Sequence, residues 1–285
     1  MAAEQIRFDD GAAYEDFMGK WSLLAGNAFL DWLSPAAGLR WVDVGCGNGA
    51  FTQLLVERCA VRDIQGIDPS DEQLAFARTR LAKAPATFRR GDAMALPYAD
   101  ATFDAAVMAL VIFFVPQPAK GIAEMVRVIR PGGGACAYAW DILGGGFPYF
   151  ALQDEMARLG QQPLWPPSVE AARMEALRAA WTAAGLVDVE THELVVERSF
   201  ADFDTFWAAA RKGPRIAPRL AEMPGGDGEL LKERLRARLK ADAKGRITYA
   251  ARANAVRGRR PGQGALAARP PSFIPADGRT RPVPR

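Results

Sequence analysis

The 285-residue chain has one histidine, His192, and only three cysteines, Cys46, Cys59 and Cys136. The cysteines form no C-x-x-C pair and are odd in number, the pattern of reduced, intracellular thiols rather than a disulfide framework. Without clustered histidines or close cysteine pairs, no transition-metal site is expected. Long hydrophobic runs are missing as well: none approaches the roughly 18 residues that a membrane span requires. The first ten residues, MAAEQIRFDD, hold neither a basic n-region nor an apolar h-region, so no secretory signal is expected and a cytoplasmic placement follows. Excess charge is also scarce. A net charge of +3 argues against a dedicated nucleic-acid binder.

What is present suits a globular protein: 49% hydrophobic and 24% charged residues, enough for one large domain or two modest ones. From 41 to 140 strand and helix patterns alternate. WVDVG reads as a first strand, and AFTQLLVERC follows as a helix with Phe51, Leu54 and Leu55 on one face. DIQGID is a second strand. Ser70 and Gln73 then write a capping box for a helix burying Leu74, Ala77 and Leu81. TFRRGD and the nearly all-apolar FDAAVMAL supply two more strands, the latter suited to a parallel strand covered on both faces. A helix after Pro118 is expected to stop at 131-PGGG-134, with GACAYAW as the fifth strand.

Beyond that strand the rhythm changes. Residues 141–168 mix glycine, proline and aromatics around one short helix, and residues 201–244 are helical; both read as lid or substrate insertions. A helix at about 169–184 and two long strand-like runs, VDVETHELVVERSF and RITYAARANAV, complete the domain, the two runs pairing most simply as antiparallel neighbours. The expected fold is α/β: a Rossmann-like, doubly wound sheet of seven strands, mostly parallel with one antiparallel strand near the C-terminus. Residues 1–257 form this domain. The segment 258–285, with six prolines, six arginines and a single acid, reads as a disordered basic tail.

The chemistry concentrates in 41-WVDVGCGNGAFT-52. Gly45 and Gly47 with Ala50 satisfy the loose dinucleotide fingerprint, so NAD and S-adenosylmethionine are both candidates for this turn. Asp43, two residues before the first glycine, would repel a pyrophosphate but favours the ammonium and sulfonium of S-adenosylmethionine. Asp68, ending the second strand, can accept ribose hydroxyls from either ligand. Asp92, after the third strand, can accept from an adenine amino group.

VDVGCGNG, GID, GDAMALP and RVIRPGGG, in this order, resemble four successive motifs of the class I S-adenosylmethionine-dependent methyltransferases. The similarity is greatest to the methyltransferase type 11 family, which includes the ubiquinone/menaquinone C-methyltransferase-like enzymes. It extends over about 12–257 and is specific within the core, 41–140. By that resemblance Asp43, Gly45, Gly47, Asp68, Asp92 and Ala93 contact the methyl donor, together with Leu110 at the fourth strand's end. Cys46 and Pro69 lie within the same two cofactor-binding turns, Cys46 as a small packing residue. The segment 12–33 resembles the family's N-terminal lid helix, which would fold Tyr14, Met18, Gly19 and Trp21 over the cofactor. One departure stands out: many relatives carry a histidine just after the fourth strand, where this chain reads VIFFVPQP.

The resemblance implies methyl transfer from S-adenosylmethionine, with S-adenosylhomocysteine as product. Such a displacement depends mainly on alignment of donor and acceptor, worth roughly 7–11 kcal/mol. Asp141, directly after the fifth strand, and Tyr14 are the ionisable candidates for deprotonating or orienting an acceptor. For Asp141 a second role, launching the insertion as a turn residue, stands beside the first. Trp140, Phe147, Tyr149, Phe150 and Trp165 suggest a small-molecule acceptor that is apolar or aromatic in part. Two other functions compete: a donor-binding regulatory or scaffold protein without turnover, and an NAD(P)-dependent oxidoreductase.

Overall fold

The computed structural model describes residues 15–262, apart from 163–164 and 214–215. Tyr14 and residues 263–285 of the basic tail lie outside the described residues. A π-helical turn, Glu15–Gly19, runs into helix α1 (Lys20–Leu33), whose Trp21, Ala25, Gly26, Phe29 and Leu30 form one buried stripe. Gly26 lets this helix lie close on the next, since a Cβ there would stand 2.7 Å from Leu54 Cδ1. The helix ends where Ser34 turns left-handed and donates its N–H to the Leu30 carbonyl at 3.0 Å.

Strand and helix then alternate as the hydrophobic pattern predicts: β1 (Arg40–Val44), α2 (Ala50–Cys59), β2 (Asp63–Asp68), α3 (Asp71–Arg80), β3 (Ala86–Arg90) and β4 (Phe103–Ala109). Ser70 caps α3 by accepting the Gln73 N–H, and Leu74, Ala77 and Leu81 are buried. Next come α4 (Pro118–Val128), β5 (Ile129–Trp140), α5 (Phe150–Arg158) and, after a 3-10 turn at Val169–Ala172, α6 (Met174–Ala183). The chain closes with β6 (Val187–Phe200), α7 (Phe203–Ala210), α8 (Ile216–Glu222), α9 (Asp227–Arg238) and β7 (Ile247–Arg259).

The sheet order is β3-β2-β1-β4-β5-β7-β6, with β7 antiparallel to both of its neighbours and the other pairings parallel. This is the Rossmann-like arrangement expected, including its one antiparallel strand. Phe29 of α1 and Phe51 of α2 meet Tyr138 of β5 on one face, at ring distances of 4.7 and 5.6 Å. On the other face Trp181 of α6 donates its indole N–H to the Ala135 carbonyl at 3.0 Å. Burying each such ring stabilises the fold by about 1.5–3 kcal/mol.

Two boundaries differ from the sequence expectation. PGGG does not precede β5 but lies inside it: the helix stops at Val128, and pairing jumps from Phe103–Ile129 to Ala105–Gly134. The run Val126–Ile129 already favours extended backbone, and the glycines absorb the resulting bulge, Gly133 with its Cα against the Asp104 carbonyl. At the far end, β7 continues past 257. Gly258 and Arg259 pair with Ala135 and Gly134, and Arg260 donates to the carbonyls of Val126, Arg127 and Ile129. Composition signalled a tail too early because these arginines are structural.

The two insertions are fastened to each other. Glu155 of α5 is buried and bonded by Arg238 of α9 at 3.1 Å, while Arg158 approaches the same carboxylate at 3.4 Å. Arg260→Ala should lower stability by about 1–3 kcal/mol, since it strips a charged donor from three carbonyls. Urea unfolding measures this directly, and a variant as stable as the parent would show that the bonds contribute nothing.

Candidate active site

The strand order reverses between β1 and β4, and open sheets of this kind hold ligands outside the carboxyl ends of the strands at that point. Register brings the relevant residues level there: Asp43 pairs with Gly66 of β2 and with Val107 of β4, and Asp68 with Arg90 of β3. The turn after β1 carries Gly45, Gly47 and Gly49 at φ of 77°, 52° and 78°. A Cβ on Gly45 would fall 2.5 Å from the Val111 side chain, so glycine is required by contact as well as conformation. Leu110, just before that valine, is itself left-handed at φ 61°, with its N–H held by the Tyr138 carbonyl at 2.8 Å. Such backbone costs roughly 1–3 kcal/mol and collects at functional sites.

The N–H groups of this turn are already engaged. Gly45 and Cys46 both donate to the Ile67 carbonyl, at 2.7 and 3.0 Å, and Gly49 donates to Cys46 at 2.9 Å. Gly47 donates to Asp68 Oδ2 at 2.9 Å, and the other oxygen of Asp68 accepts the Ser70 N–H at 2.9 Å. A carboxylate therefore stands where an anion cradle would need free donors.

Asp43 is fully buried beneath the turn on the α2 side. Its Oδ2 accepts the Thr52 hydroxyl at 2.7 Å, and its Oδ1 has no partner among the described residues. Burial raises its pKa to about 7, against the Thr52 hydrogen bond that lowers it and with Asp68 raising it further. Burial likewise raises Asp68, opposed by the Ser70 and Gly47 amides. Cys46 is buried against Gly66, and burial together with Asp43 and Asp68 pushes its thiol well up, so it stays protonated and packs rather than reacts.

Asp92 is exposed beyond β3, one oxygen accepting the Met94 N–H at 2.8 Å, with Ala93 half-buried beside it. Two residues overlooked in the sequence hold this loop. Glu124 of α4 accepts the Leu96 N–H at 2.8 Å, and Arg127 donates to the Tyr98 and Leu96 carbonyls at 2.7 and 2.9 Å. Their i, i+3 spacing on one helix was the available signal.

Other expected positions separate from this group. Trp21 is wholly buried between Tyr149 and Tyr249, with ring centroids 6.2 Å from each; it belongs to the core rather than to a cover over the glycine turn. Trp140 and Tyr149 are core residues too, whereas Trp165 is exposed. Pro69 is exposed at the start of α3. Asp141 sits at the end of β5, but its carboxylate is taken by Arg252 at 2.9 Å and by the Gly144 N–H at 3.1 Å. That is the turn role, and it leaves a less available base. His192 lies on β6, stacked on Trp32 at 5.6 Å and remote from the turn. Among the described residues no group of three histidine, cysteine or acidic side chains is placed to hold a metal, and no helix is long and apolar enough to cross a membrane.

Residues 42–137 match a family model described as a methyltransferase domain. An uncharacterised methyltransferase of Mycobacterium tuberculosis is 40% identical over 104 residues, spanning 36% of this chain and 41% of the relative. A ubiquinone/menaquinone biosynthesis C-methyltransferase of Roseobacter denitrificans is 36% identical over 110 residues, 37% of this chain and 44% of its own. The match thus spans less than half the length of these relatives. In fold, the chain resembles a Haemonchus contortus phosphoethanolamine N-methyltransferase 2 solved with phosphomonomethylethanolamine and S-adenosylhomocysteine. The TM-score is 0.56 at 19% identity, covering 90% of this chain and 58% of that one.

The buried Asp43 makes a pH prediction. The folded chain holds this proton more tightly than the unfolded chain, so its contribution is complete below pH 4 and is lost as pH rises through about 7. The loss is on the order of 4 kcal/mol. Asp43→Asn should flatten stability between pH 4 and 7, read from urea midpoints at several pH values. A slope equal to that of the parent would place the titrating group elsewhere.

Proposed function

We propose, from the match of residues 42–137 to a methyltransferase-domain family model, that this chain binds S-adenosylmethionine at the β1 turn and methylates a small-molecule acceptor. The observation that carries the reading is the engagement of the turn's amides. Gly45, Cys46, Gly47 and Gly49 all donate within the protein, one of them to Asp68. A pyrophosphate needs those donors free and no carboxylate beside them, which disfavours NAD(P) and the oxidoreductase alternative. A zwitterionic, sulfonium-bearing ligand needs neither condition.

The residues fit that ligand in kind. Asp68 uses one lone pair of each oxygen on backbone amides and retains acceptor capacity for ribose hydroxyls. Asp92 is exposed and able to accept from an exocyclic amine. Asp43 holds an unpartnered buried oxygen under the turn, a latent negative charge that a nearby cation would draw into its ionised form. Gly45 and Gly47 keep the turn slim, and Leu110 and Val111 close its β4 side. Cys46 packs beneath, and Pro69 and Ala93 shape the flanking loops. The donor supplies an activated methyl group; the protein supplies alignment and excludes water.

For the acceptor, the same reading takes an apolar or partly aromatic small molecule. Ser168 of the insertion is tied to the turn after β4, its N–H on the Phe113 carbonyl at 3.0 Å and its hydroxyl on Val115 at 2.7 Å. Phe113 and Phe114, with ring centroids 4.6 Å apart, are thereby held beside the strand ends. The name of the Roseobacter relative, a quinone-pathway C-methyltransferase, agrees with such an acceptor. Tyr14, outside the described residues, stays a candidate general base from the sequence, and Asp141 is a positioning residue for the loop that leaves β5.

Isothermal titration should show binding of S-adenosylmethionine and S-adenosylhomocysteine but not of NAD. Tighter binding of NAD would overturn the reading. Asp68→Ala should weaken donor binding by about 2 kcal/mol or more, because bonds to a charged acceptor contribute about 1.5–3 each. Its melting temperature should also fall, since two backbone amides lose their acceptor. Asp141→Asn should retain donor affinity and, in single-turnover transfer to an acceptor found by metabolite screening, lose less than about 10³-fold in rate. Complete loss would make Asp141 an obligatory base.

A further inference from the structure

Four arginines lie on the paired strands β6 and β7, and three have carboxylate partners. Arg252 bonds Asp141, Arg257 bonds Glu190 and Arg259 bonds Asp188. Arg198 has no carboxylate partner among the described residues. Its guanidinium lies 4.5 Å from the Phe200 ring centroid and 6.0 Å from that of Trp21, and donates only a long 3.4 Å hydrogen bond to the Tyr149 hydroxyl. The group is half-buried, which makes an unpaired charge costly, yet it is held between aromatic surfaces in the manner that orients arginine for bidentate contacts.

Several neighbouring features converge on the same need. The Trp21 indole N–H is buried without a hydrogen-bond partner among the described residues. The Tyr149 hydroxyl spends its own proton on the Phe17 carbonyl at 3.1 Å and sits on left-handed backbone, φ 67°. Above Arg198 opens a depression of about 490 Å³, lined also by Lys20, Lys212, Asp202, Asp204 and Thr205. Its two acids are engaged: Asp202 accepts the Thr205 N–H at 2.7 Å, and Asp204 is bonded by Arg236 at 2.9 Å with Lys232 at 3.5 Å. Lys20, exposed at the start of α1, makes no ion pair with a described residue.

The geometry points to a second ligand site in this depression, where Arg198 and Lys20 take an oxyanion group, a carboxylate or a phosphate, of a small molecule. A planar, delocalised guanidinium matches either group with two parallel N–H···O bonds, and the lysine adds a point charge. The site stands apart from the glycine turn. β6 is four strand positions from β1, about 19 Å across the sheet. It is therefore independent of the methyl-donor reading.

Titrating the full chain with inorganic phosphate and, separately, with malonate tests the site, with chloride added to hold ionic strength constant. Saturable one-site binding of either or both is expected; phosphate alone would mark a phosphoryl ligand, malonate alone a carboxylate. Arg198→Gln should weaken binding at least tenfold, and Lys20→Gln about threefold. Absence of saturable binding of both anions by the parent chain would overturn the proposal. So would unchanged affinity in Lys20→Gln, which alters only an exposed side chain and keeps the test decisive should Arg198→Gln fail to fold.

Discussion

The carboxylate of Asp68 bridging the Gly47 and Ser70 amides is the contact on which the candidate active site depends. It ties the end of β2 to the turn after β1 and, through Ser70, to the cap of α3. With the Ile67 carbonyl accepting two further amides, the turn is closed on its neighbour strand and not on a ligand. That closure decides the electrostatic character of the crevice. A turn with open amides attracts phosphate; a turn sealed by a carboxylate presents negative charge and backbone oxygen, suited to a cationic ligand.

Around that contact the structure concentrates strain and burial in a small volume. Three glycines and Leu110 take left-handed backbone within the facing ends of β1 and β4, and Asp43 is buried with one oxygen unpartnered among the described residues. The compensation comes from the regular part of the sheet. Small residues such as Ala105, Ala106, Ala135 and Ala137 let helices approach both faces of β4 and β5, and large rings fill the remaining space. An irregular rim is held by a regular body.

Much of this was legible from one chain. Period-2 and period-3.6 patterns found the strands and helices of 41–140. Ser70 caps its helix as expected, although its own N–H goes to Asp68 and not to Gln73, and the acids at 43, 68 and 92 lie at or just past the ends of β1, β2 and β3. What escaped has physical reasons. A helix ending in Val126-Arg127-Val128 passes directly into a strand at Ile129, so glycine punctuation at 131–134 marked a bulge instead of a boundary. Arg260 looked like tail because composition does not reveal a side chain reaching back to three carbonyls. Trp21 and Tyr149 looked like ligand aromatics because helical spacing locates a buried face without saying whether protein or ligand covers it. Asp141 is paired to Arg252, 111 residues away, a contact that no local pattern records.

The ion cluster joining Glu155 of α5 to Arg238 of α9 has a mechanical meaning. The two helices belong to insertions that leave the sheet after β5 and after β6, and each alone would be a separate flap on its own hinges. Fastened through a buried carboxylate, they form a single lever with two fulcrums. Parting them would remove the Arg238 bond at 3.1 Å and leave the buried carboxylate with only Arg158 of its own helix, 3.4 Å away. The two insertions are thereby coupled, and a displacement of either helix is carried to the other through this one side chain.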